Sequence, residues 1–320
     1  MEKKALKLII QIPCFNEEES LPVTLRDLPK GIDGISKIER LVIDDGSLDR
    51  TYDVAKQHGV EHIVQFPRRK GLARAFEAGF NASLKLGADI VVNTDADNQY
   101  KGKDIAKLVR PIVEGKADIV IGNRDIANIK HFSFLKKRLQ WLGSWVVRQV
   151  SGTNIPDATT GFRAYNRKAV TEINIVSRFS YTLESIIEAG KKNLDIVNVS
   201  IGVNKPLRKS RLFTNVFQYV TKSAGTILRI YTMYEALKVF MIIGAFVFSV
   251  GALVCLRYLY FYIFNLNPAG HIQSLILAVM FLMLGFQIMV FSLIADLIAS
   301  NRKLIEDTLT KVKKLDSSSS

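Results

Sequence analysis

A chain of 320 residues, 48% of them hydrophobic, is long enough for one large folded domain or two smaller ones. Its 44 Lys and Arg against 30 Asp and Glu leave a net charge of +14, which points to an anionic partner: nucleic acid, an anionic membrane surface or a phosphorylated substrate. The two cysteines, Cys14 and Cys255, fit no zinc spacing and no disulfide framework, so a reducing compartment is expected.

The basic start MEKKALKLIIQI stops at Pro13, too short an apolar run for a secretory leader, and none is expected. Residues 6–12 (LKLIIQI) predict a strand, followed by the turn PCFNEEES and a helix over 17–27. A second strand, 38–43, ends in DDGSLDRT; a helix over 51–58, a short strand over 62–65 and a helix over 70–86 follow. A fourth strand, 89–93, ends at the DAD of residues 95–97, and a helix over 104–114 leads to a fifth strand, 118–122. This alternation predicts an α/β domain over residues 1–205, a mostly parallel Rossmann-like sheet with helices on both faces. Ligands on such sheets bind beyond the carboxyl ends of the strands, where PCFNEE, DDGS, DADNQ and GNR all fall. One shared site is expected there.

Residues 125–156 are basic and aromatic and predict one or two amphipathic helices. Residues 212–238 alternate apolar and basic positions, which assigns 206–236 to juxtamembrane helices in the headgroup region. Two apolar runs then predict a transmembrane hairpin within 237–300. They cover 239–264, with Arg257 its only charge, and 272–299, with Asp296 its only charge. The alternative is a buried helical hairpin in a soluble domain. The connector NLNPAGH carries no Lys or Arg, while Arg229, Lys238, Arg302, Lys303, Lys311, Lys313 and Lys314 flank the runs. A multi-pass protein of the inner (plasma) membrane is expected, its large domain, both termini and basic 301–320 tail cytoplasmic. The end of that tail, LDSSSS, is expected to be disordered. Arg257 is expected to snorkel to the interface or to pair between subunits, with Asp296 a candidate partner in a homo-oligomer. There is no internal repeat. No nucleic-acid-binding motif is present either, so the basic surplus is assigned to lipid and phosphate.

The residues with chemistry start from NTDADNQY. Carboxylates at Asp95 and Asp97, on a loop leaving a strand, can share one hard divalent cation, Mg²⁺ or Mn²⁺, completed by substrate phosphates. The alternative is a solvated Asx turn with Asp97 capping the next helix. No P-loop and no GxGxxG is present. Lys70 and Gly71 are placed to approach a diphosphate, although Lys70 beside Arg68 and Arg69 also reads as a solvated lysine. The cluster Lys205, Arg208, Lys209 and Arg211, between the large domain and the apolar runs, suits capture of a lipid phosphate or is plain surface charge.

IPCFNEE (12–18), VIDDGSLDRT (42–51), RKGLARAFEAG (69–79), NTDADNQ (93–99) and IGNR (121–124) together resemble the family 2 glycosyltransferases of GT-A fold. TTGFRAYNR (159–167), the basic juxtamembrane segment and the two C-terminal runs make the chain similar to the polyprenyl-phosphate branch of that family. That branch includes dolichyl-phosphate mannose synthases and bacterial undecaprenyl-phosphate glucosyltransferases. The resemblance implies an inverting, metal-dependent transfer of a hexose from a UDP- or GDP-sugar to a polyprenyl phosphate. It implies donor-nucleotide contacts from Pro13, Phe15, Asn16, Glu17, Asp45, Lys70, Gly71, Asp95 and Ala96, with Glu17 on the ribose and Asp45 on a base N–H. Helix capping is the alternative for Asn16 and Ser47. The resemblance implies a catalytic set of Asp95, Asp97, Asp157 and Arg124, metal contacts from Asp97 and Gln99, and acceptor-phosphate contacts from Arg163, Arg208, Lys209 and Arg211. Asp157 is either a base or an orienting group for Arg163, the metal or the acceptor. Glu184 is a second carboxylate candidate, or a first-turn helix residue. The usual pattern is DADLQ; Asn98 departs from it and leaves that loop's geometry open. Two rival readings stand beside this one: a family 2 transferase acting on a lipid or glycan hydroxyl, and a non-catalytic membrane-anchored nucleotide-sugar-binding subunit.

Overall fold

The computed structural model describes residues 5–124, 134–175, 181–204, 234–264 and 272–318, with single positions at 221, 225, 228, 229 and 232. The chain divides into two compact units, residues 1–227 with 308–320 and residues 228–307.

The first unit is an α/β domain. Its strands are β1 (Leu6–Cys14), β2 (Ile35–Asp44), β3 (His62–Gln65), β4 (Ile90–Asn93), β5 (Ile119–Asn123), β6 (Arg163–Asn166) and β7 (Ile196–Ser200). They form one seven-stranded sheet in the order β3-β2-β1-β4-β6-β5-β7. All neighbours run parallel except β6, which is antiparallel to both β4 and β5. The near-continuous apolar reading of β1 has a simple cause. It sits between β2 and β4 with both faces covered, so Leu8, Ile9, Ile10 and Ile12 are all fully buried.

The helices are α1 (Leu21–Asp27), α2 (Thr51–Gln57), α3 (Leu72–Lys85), α4 (Ile105–Val113), α5 (Phe134–Ser151), α6 (Arg167–Glu172) and α7 (Tyr181–Lys191). One core cluster joins Leu8, Ile10, Ile12, Val42 and Val92 of the sheet to Leu21 and Leu25 of α1 and Leu108 of α4. Each such side chain contributes about 1.5–3 kcal/mol by leaving water. Around α3 the packing is aromatic: Phe76 lies 4.3 Å from Phe80 and 4.2 Å from Tyr181, and Phe80 meets Tyr165 edge-on at 4.9 Å.

All five expected strands form. The helix expected over 17–27 begins only at Leu21, because residues 17–20 are taken up by the turn after β1. Strands β6 and β7 are additions to the sequence reading. Of the amphipathic 125–156 stretch, α5 is helical and residues 125–133 lie outside the described residues. Most of 206–236 does too.

The second unit contains α8 (Ala236–Ile263) and most of α9 (Ile272–Ser318). Each contains a stretch long and apolar enough to cross a bilayer, 18 residues of mean hydropathy 2.7 in α8 and 2.4 in α9. They pack closely through small residues. A Cβ at Gly285 would fall 2.5 Å from the backbone of Phe248, and one at Gly251 would fall 2.7 Å from that of Leu282. The expected break into a disordered tail does not occur: α9 continues to Ser318. No Gly or Pro follows Gly285, and Arg302 pairs with Glu306 one turn on at 2.6 Å, so nothing stops the helix.

Candidate active site

Six segments meet at the carboxyl ends of β1, β2, β3, β4 and β5 and on the loop before β6. The first two are knotted together. Asn16 adopts a left-handed backbone (φ 55°), donates its N–H to Ser47 Oγ at 2.9 Å and accepts the Leu48 N–H on Oδ1 at 2.8 Å. The Glu17 N–H donates to Thr51 Oγ1 at 2.8 Å. Asn16 and Ser47 therefore cap no helix; they join PCFNEE to DDGS. The Glu17 carboxylate is buried and accepts from Ser20 Oγ. Pro13 lies inside β1, buried opposite Ile43, and not on the loop beyond it.

Asp45 departs from expectation. Its carboxylate accepts the backbone N–H of Lys70 at 2.7 Å and of Gly71 at 2.9 Å. It is a strut between the DDGS and RKG loops. The close approach needs Gly46 (φ 70°), since a Cβ there would fall 2.5 Å from the Arg68 carbonyl carbon. Arg69 then lies over the Phe15 ring at 4.1 Å, and the Lys70 ammonium lies 4.4 Å from the centre of the Phe66 ring. The cationic rim is thus fixed by aromatics.

The DAD loop leaves β4 with Asp95 and Asp97 half-buried and Ala96 turned inward, its carbonyl accepting from Thr24 Oγ1 at 2.8 Å. Asp97 Oδ1 accepts the Gln99 N–H at 3.2 Å, an Asx turn, but it caps no helix. The 3₁₀ turn Gly102–Asp104 begins from Lys101. Asn98 has φ 53°, a left-handed conformation that Asn adopts more readily than most residues. The loop is held from outside by Asn204. Its backbone N–H donates to Gln99 O at 2.8 Å, and its Nδ2 donates to Asn98 O at 3.0 Å and Tyr100 O at 3.3 Å.

Asp95 sits over a buried polar network. The Tyr100 hydroxyl lies beside its carboxylate and accepts the Gly161 N–H at 3.2 Å, while the Tyr100 ring stacks on Phe162 at 4.8 Å. Asn93 Nδ2 donates to Gly161 O at 2.8 Å and Tyr181 Oη at 3.3 Å, and Gln11 Nε2 donates to Asn93 Oδ1 at 2.9 Å. Gly161 leaves room for Asp95: a Cβ there would fall 3.1 Å from Asp95 Oδ1. Burial and the neighbouring Asp97 push the Asp95 carboxyl up to about 7, outweighing Arg124 and Tyr100, which pull it down.

Arg124, just past β5, makes a two-pronged ion pair with Asp157 through Nε at 2.7 Å and Nη2 at 3.0 Å. Nη2 also donates to Thr159 Oγ1 at 2.8 Å. Burial alone would raise the Asp157 carboxyl; the Arg124 guanidinium more than offsets it and holds Asp157 below the usual carboxylate range. Asp157 thus orients Arg124, not Arg163. Arg163 is fully buried, with Nε on Thr160 O, Nη1 on Thr182 O and Ser185 Oγ, and Nη2 on Ala158 O, each at 2.8 Å. It staples the loop before β6 to α7 and does not reach an acceptor phosphate. Arg208, Lys209 and Arg211 lie outside the described residues. Glu184 is a buried first-turn residue of α7.

The donor set fits a hard divalent cation. Asp97 and Gln99 would supply oxygen ligands, and Asp95 resists ionising together with Asp97 without a counter-charge. No group of three or more His, Cys, Asp or Glu converges among the described residues. A cation here would be completed by substrate phosphate and water, the usual Mg²⁺ pattern.

The family profile described as "Glycosyl transferase family 2" matches residues 9–173, which contain every one of these loops except the Asn204 clamp. The chain belongs to glycosyl transferase family 2. This glycosyltransferase is 33% identical over 176 residues to an undecaprenyl-phosphate mannosyltransferase of Micrococcus luteus, covering 53% of the chain and 70% of that protein. It is 31% identical over 224 residues to a UDP-N-acetylglucosamine–dolichyl-phosphate N-acetylglucosaminyltransferase of Methanococcus voltae, covering 63% and 86%. Its fold matches the glucosyl-3-phosphoglycerate synthase of Mycobacterium tuberculosis, solved with Mn²⁺, UDP and phosphoglyceric acid. The TM-score is 0.57 over 72% of this chain and 79% of that one, at 18% identity. The sheet is therefore of GT-A type.

Sequence reasoning missed Tyr100, Gly161 and Asn204. Tyr100 sits three residues after Asp97 and reads as a turn residue. Asn204 is 107 positions from Asp97, and the left-handed tendency of Asn98 was the one local sign that its loop needs an external clamp.

Proposed function

We propose that this glycosyltransferase moves a hexose from a UDP- or GDP-sugar to a polyprenyl phosphate at the cytoplasmic face of a membrane, with inversion at the anomeric carbon. The observation that carries the reading is the joining of the DAD loop, through Asn204, to the chain that continues directly into Lys205, Arg208, Lys209 and Arg211. The basic residues thereby follow in sequence directly from a residue bonded to the donor loop. Both named polyprenyl-phosphate relatives above support the acceptor class.

Asp95 faces the donor sugar, and Asp97 with Gln99 would hold Mg²⁺ or Mn²⁺. When bound, that cation supplies charge neutralisation to the departing nucleoside diphosphate. Arg124, immobilised by Asp157, presents a fixed positive charge to phosphate without reorganising during reaction. Glu17 and the Phe15–Arg69 stack line the nucleotide side. A phosphate monoester has a second pKa near ~6 and is already ionised at neutral pH, so the acceptor needs no base. We accordingly read Asp157 as an orienting group, a reading supported by its ion pair with Arg124 and its lowered pKa. A lipid or glycan hydroxyl would require a base in its place. The apolar helices α8 and α9 support a membrane anchor; the basic residues that flank them in sequence are the reason for reading both termini as cytoplasmic, and reporter fusions at residue 320 and in the 265–271 connector test that topology.

The experiment is a panel of radiolabelled UDP- and GDP-sugars incubated with the full chain, undecaprenyl phosphate and Mg²⁺ or Mn²⁺, following label into the organic phase. One donor should label the lipid, and Asp97→Asn should lower kcat by roughly 10²–10³-fold. No lipid-soluble label from any donor overturns the reading.

A further inference from the structure

Strand β4 ends on an amide. Its first three residues, Ile90, Val91 and Val92, are apolar and buried, and the fourth, Asn93, is fully buried with them. Asn93 stands two residues before Asp95, and both ends of its side chain are engaged. Oδ1 accepts from Gln11 Nε2 of β1 at 2.9 Å, and Nδ2 donates to Gly161 O at 2.8 Å and to Tyr181 Oη of α7 at 3.3 Å. Gln11 is fully buried too, and Tyr181 is 3% exposed. One buried amide thus ties together β1, which leads into Phe15 and Glu17, the end of β4, and the loop from Asp157 to Gly161.

Two glycines make room for this network. A Cβ at Gly79, in the middle of α3, would run into Gln11 Oε1, and one at Gly161 would fall 2.6 Å from Tyr181 Oη. Glycine inside a helix destabilises it relative to alanine. Replacing both partners of a buried hydrogen bond by apolar groups of the same shape is close to neutral for stability. Folding alone therefore does not call for an amide here, since the rest of β4 is apolar. What a satisfied polar network supplies is one fixed geometry. One end of it is rigid: Tyr181 stacks on Phe76 at 4.2 Å, and Arg163 Nη1 holds the first turns of α7 through Thr182 O and Ser185 Oγ, each at 2.8 Å. The other end is Gly161, whose N–H donates to Tyr100 Oη at 3.2 Å and whose Cα faces the Asp95 carboxylate, with 3.1 Å left between a Cβ there and Oδ1.

We infer that Asn93, together with Gln11 and Tyr181, is a positioning residue for the transfer reaction: through the Gly161 carbonyl it sets the floor beneath Asp95. The inference rests on the reading of Asp95 as the residue that faces the donor sugar, and it is independent of the acceptor. It gives the DAD loop two supports with different duties. The inner one, Asn93, governs the chemistry at Asp95. The outer one, Asn204, holds the Asn98–Tyr100 backbone beside Asp97.

The test replaces the network by apolar side chains of similar size, Gln11→Met, Asn93→Leu and Tyr181→Phe together, in the full chain. Thermal denaturation and calorimetric binding of UDP and GDP are measured. So are kcat and KM for the panel of UDP- and GDP-sugars, both for transfer to undecaprenyl phosphate and for hydrolysis, which needs no lipid. The expected result is a melting temperature within about 5 °C of the parent and nucleotide affinity within about twofold. Donor KM should stay within about threefold while kcat falls about 10²-fold in both reactions. A folded triple variant with kcat within about threefold of the parent overturns the inference, because the network is then packing alone. A fall in nucleotide affinity that matches the fall in kcat overturns it as well, because the damage is then general. If the triple variant does not fold, Tyr181→Phe decides: removing one hydrogen bond should lower kcat about fivefold with nucleotide affinity unchanged, and an unchanged kcat overturns the inference. A parent that hydrolyses a nucleotide sugar but labels no lipid refutes the polyprenyl-phosphate reading, and the hydrolysis rates still decide this inference. A parent inactive in both reactions overturns both.

Discussion

Gly161→Ala adds one methyl group beneath Asp95. The added Cβ would lie 2.6 Å from Tyr181 Oη, and 3.1 and 3.4 Å from the two Asp95 carboxylate oxygens. Tyr181 cannot yield readily, because its ring is buried and stacked on Phe76 at 4.2 Å, and its hydroxyl accepts from Asn93. Asp95 is the softer neighbour, half-buried on a loop. The strain therefore divides in two. Overpacking should lower stability by about 1–3 kcal/mol. A displacement of Asp95 approaching ~1 Å should lower kcat by about 10²-fold. The nucleotide side, built from Phe15, Glu17 and Arg69, lies on other loops and should keep its affinity. The assays are transfer of labelled sugar to lipid, thermal denaturation, and calorimetric binding of UDP and GDP. A folded Gly161→Ala protein with nucleotide affinity unchanged and kcat within threefold of the parent would refute the placement of Asp95 at the reacting centre.

Asp157→Asn leaves the Arg124 guanidinium with half of its partner in a site where Asp157 is fully buried, and should cost about 3–5 kcal/mol in stability, read by chemical denaturation in detergent. Asn204→Ala removes two side-chain hydrogen bonds from the Asn98–Tyr100 backbone, about 1 kcal/mol each, and should raise the metal concentration needed for half-maximal activity by about tenfold while sparing nucleotide binding. Acid stability should report on Glu39. Burial raises its carboxyl, but hydrogen bonds from Lys37, Lys7 and His62 outweigh that and bring it from 4.5 to about 2. A depressed carboxylate stabilises the fold above its unfolded pKa, and that contribution fades as pH falls from about 4.5 toward 2. Glu39→Gln should therefore cost about 1–2 kcal/mol at pH 7, with the difference from the parent shrinking over that acid window in denaturant titrations.

The first half of the sheet was readable because β1, β4 and the Leu41–Asp44 end of β2 are buried and their apolar runs end abruptly in polar turns. Strand β6 was not: RAYN has no apolar run, and its order comes from pairing with β4 and β5 on either side, a property of the assembled sheet. The same division holds in the site. Asp95, Asp97 and Arg124 stand at strand ends and were legible from position. Roles that depend on which partner a side chain meets were not. Arg163 reads as one more cation near the site, yet four hydrogen bonds hold it in the interior. Asp45 reads as a projecting acid, yet backbone N–H groups 25 and 26 residues away take up its carboxylate. The C-terminal tail misled for a compositional reason. Serines suggested disorder, but the uninterrupted helix formers before them carry α9 to Ser318.

The most direct test of the account is the chemical structure of the product. The purified full chain in phosphatidylglycerol-containing vesicles, given undecaprenyl phosphate, the accepted nucleotide sugar and Mg²⁺ or Mn²⁺, is followed by mass spectrometry and NMR. The account predicts one nucleoside diphosphate released per hexose transferred, and the hexose joined to the lipid phosphate as a phosphodiester with inverted anomeric configuration. A hexose found on a hydroxyl group, retained configuration, or nucleotide-sugar hydrolysis without lipid product would contradict it.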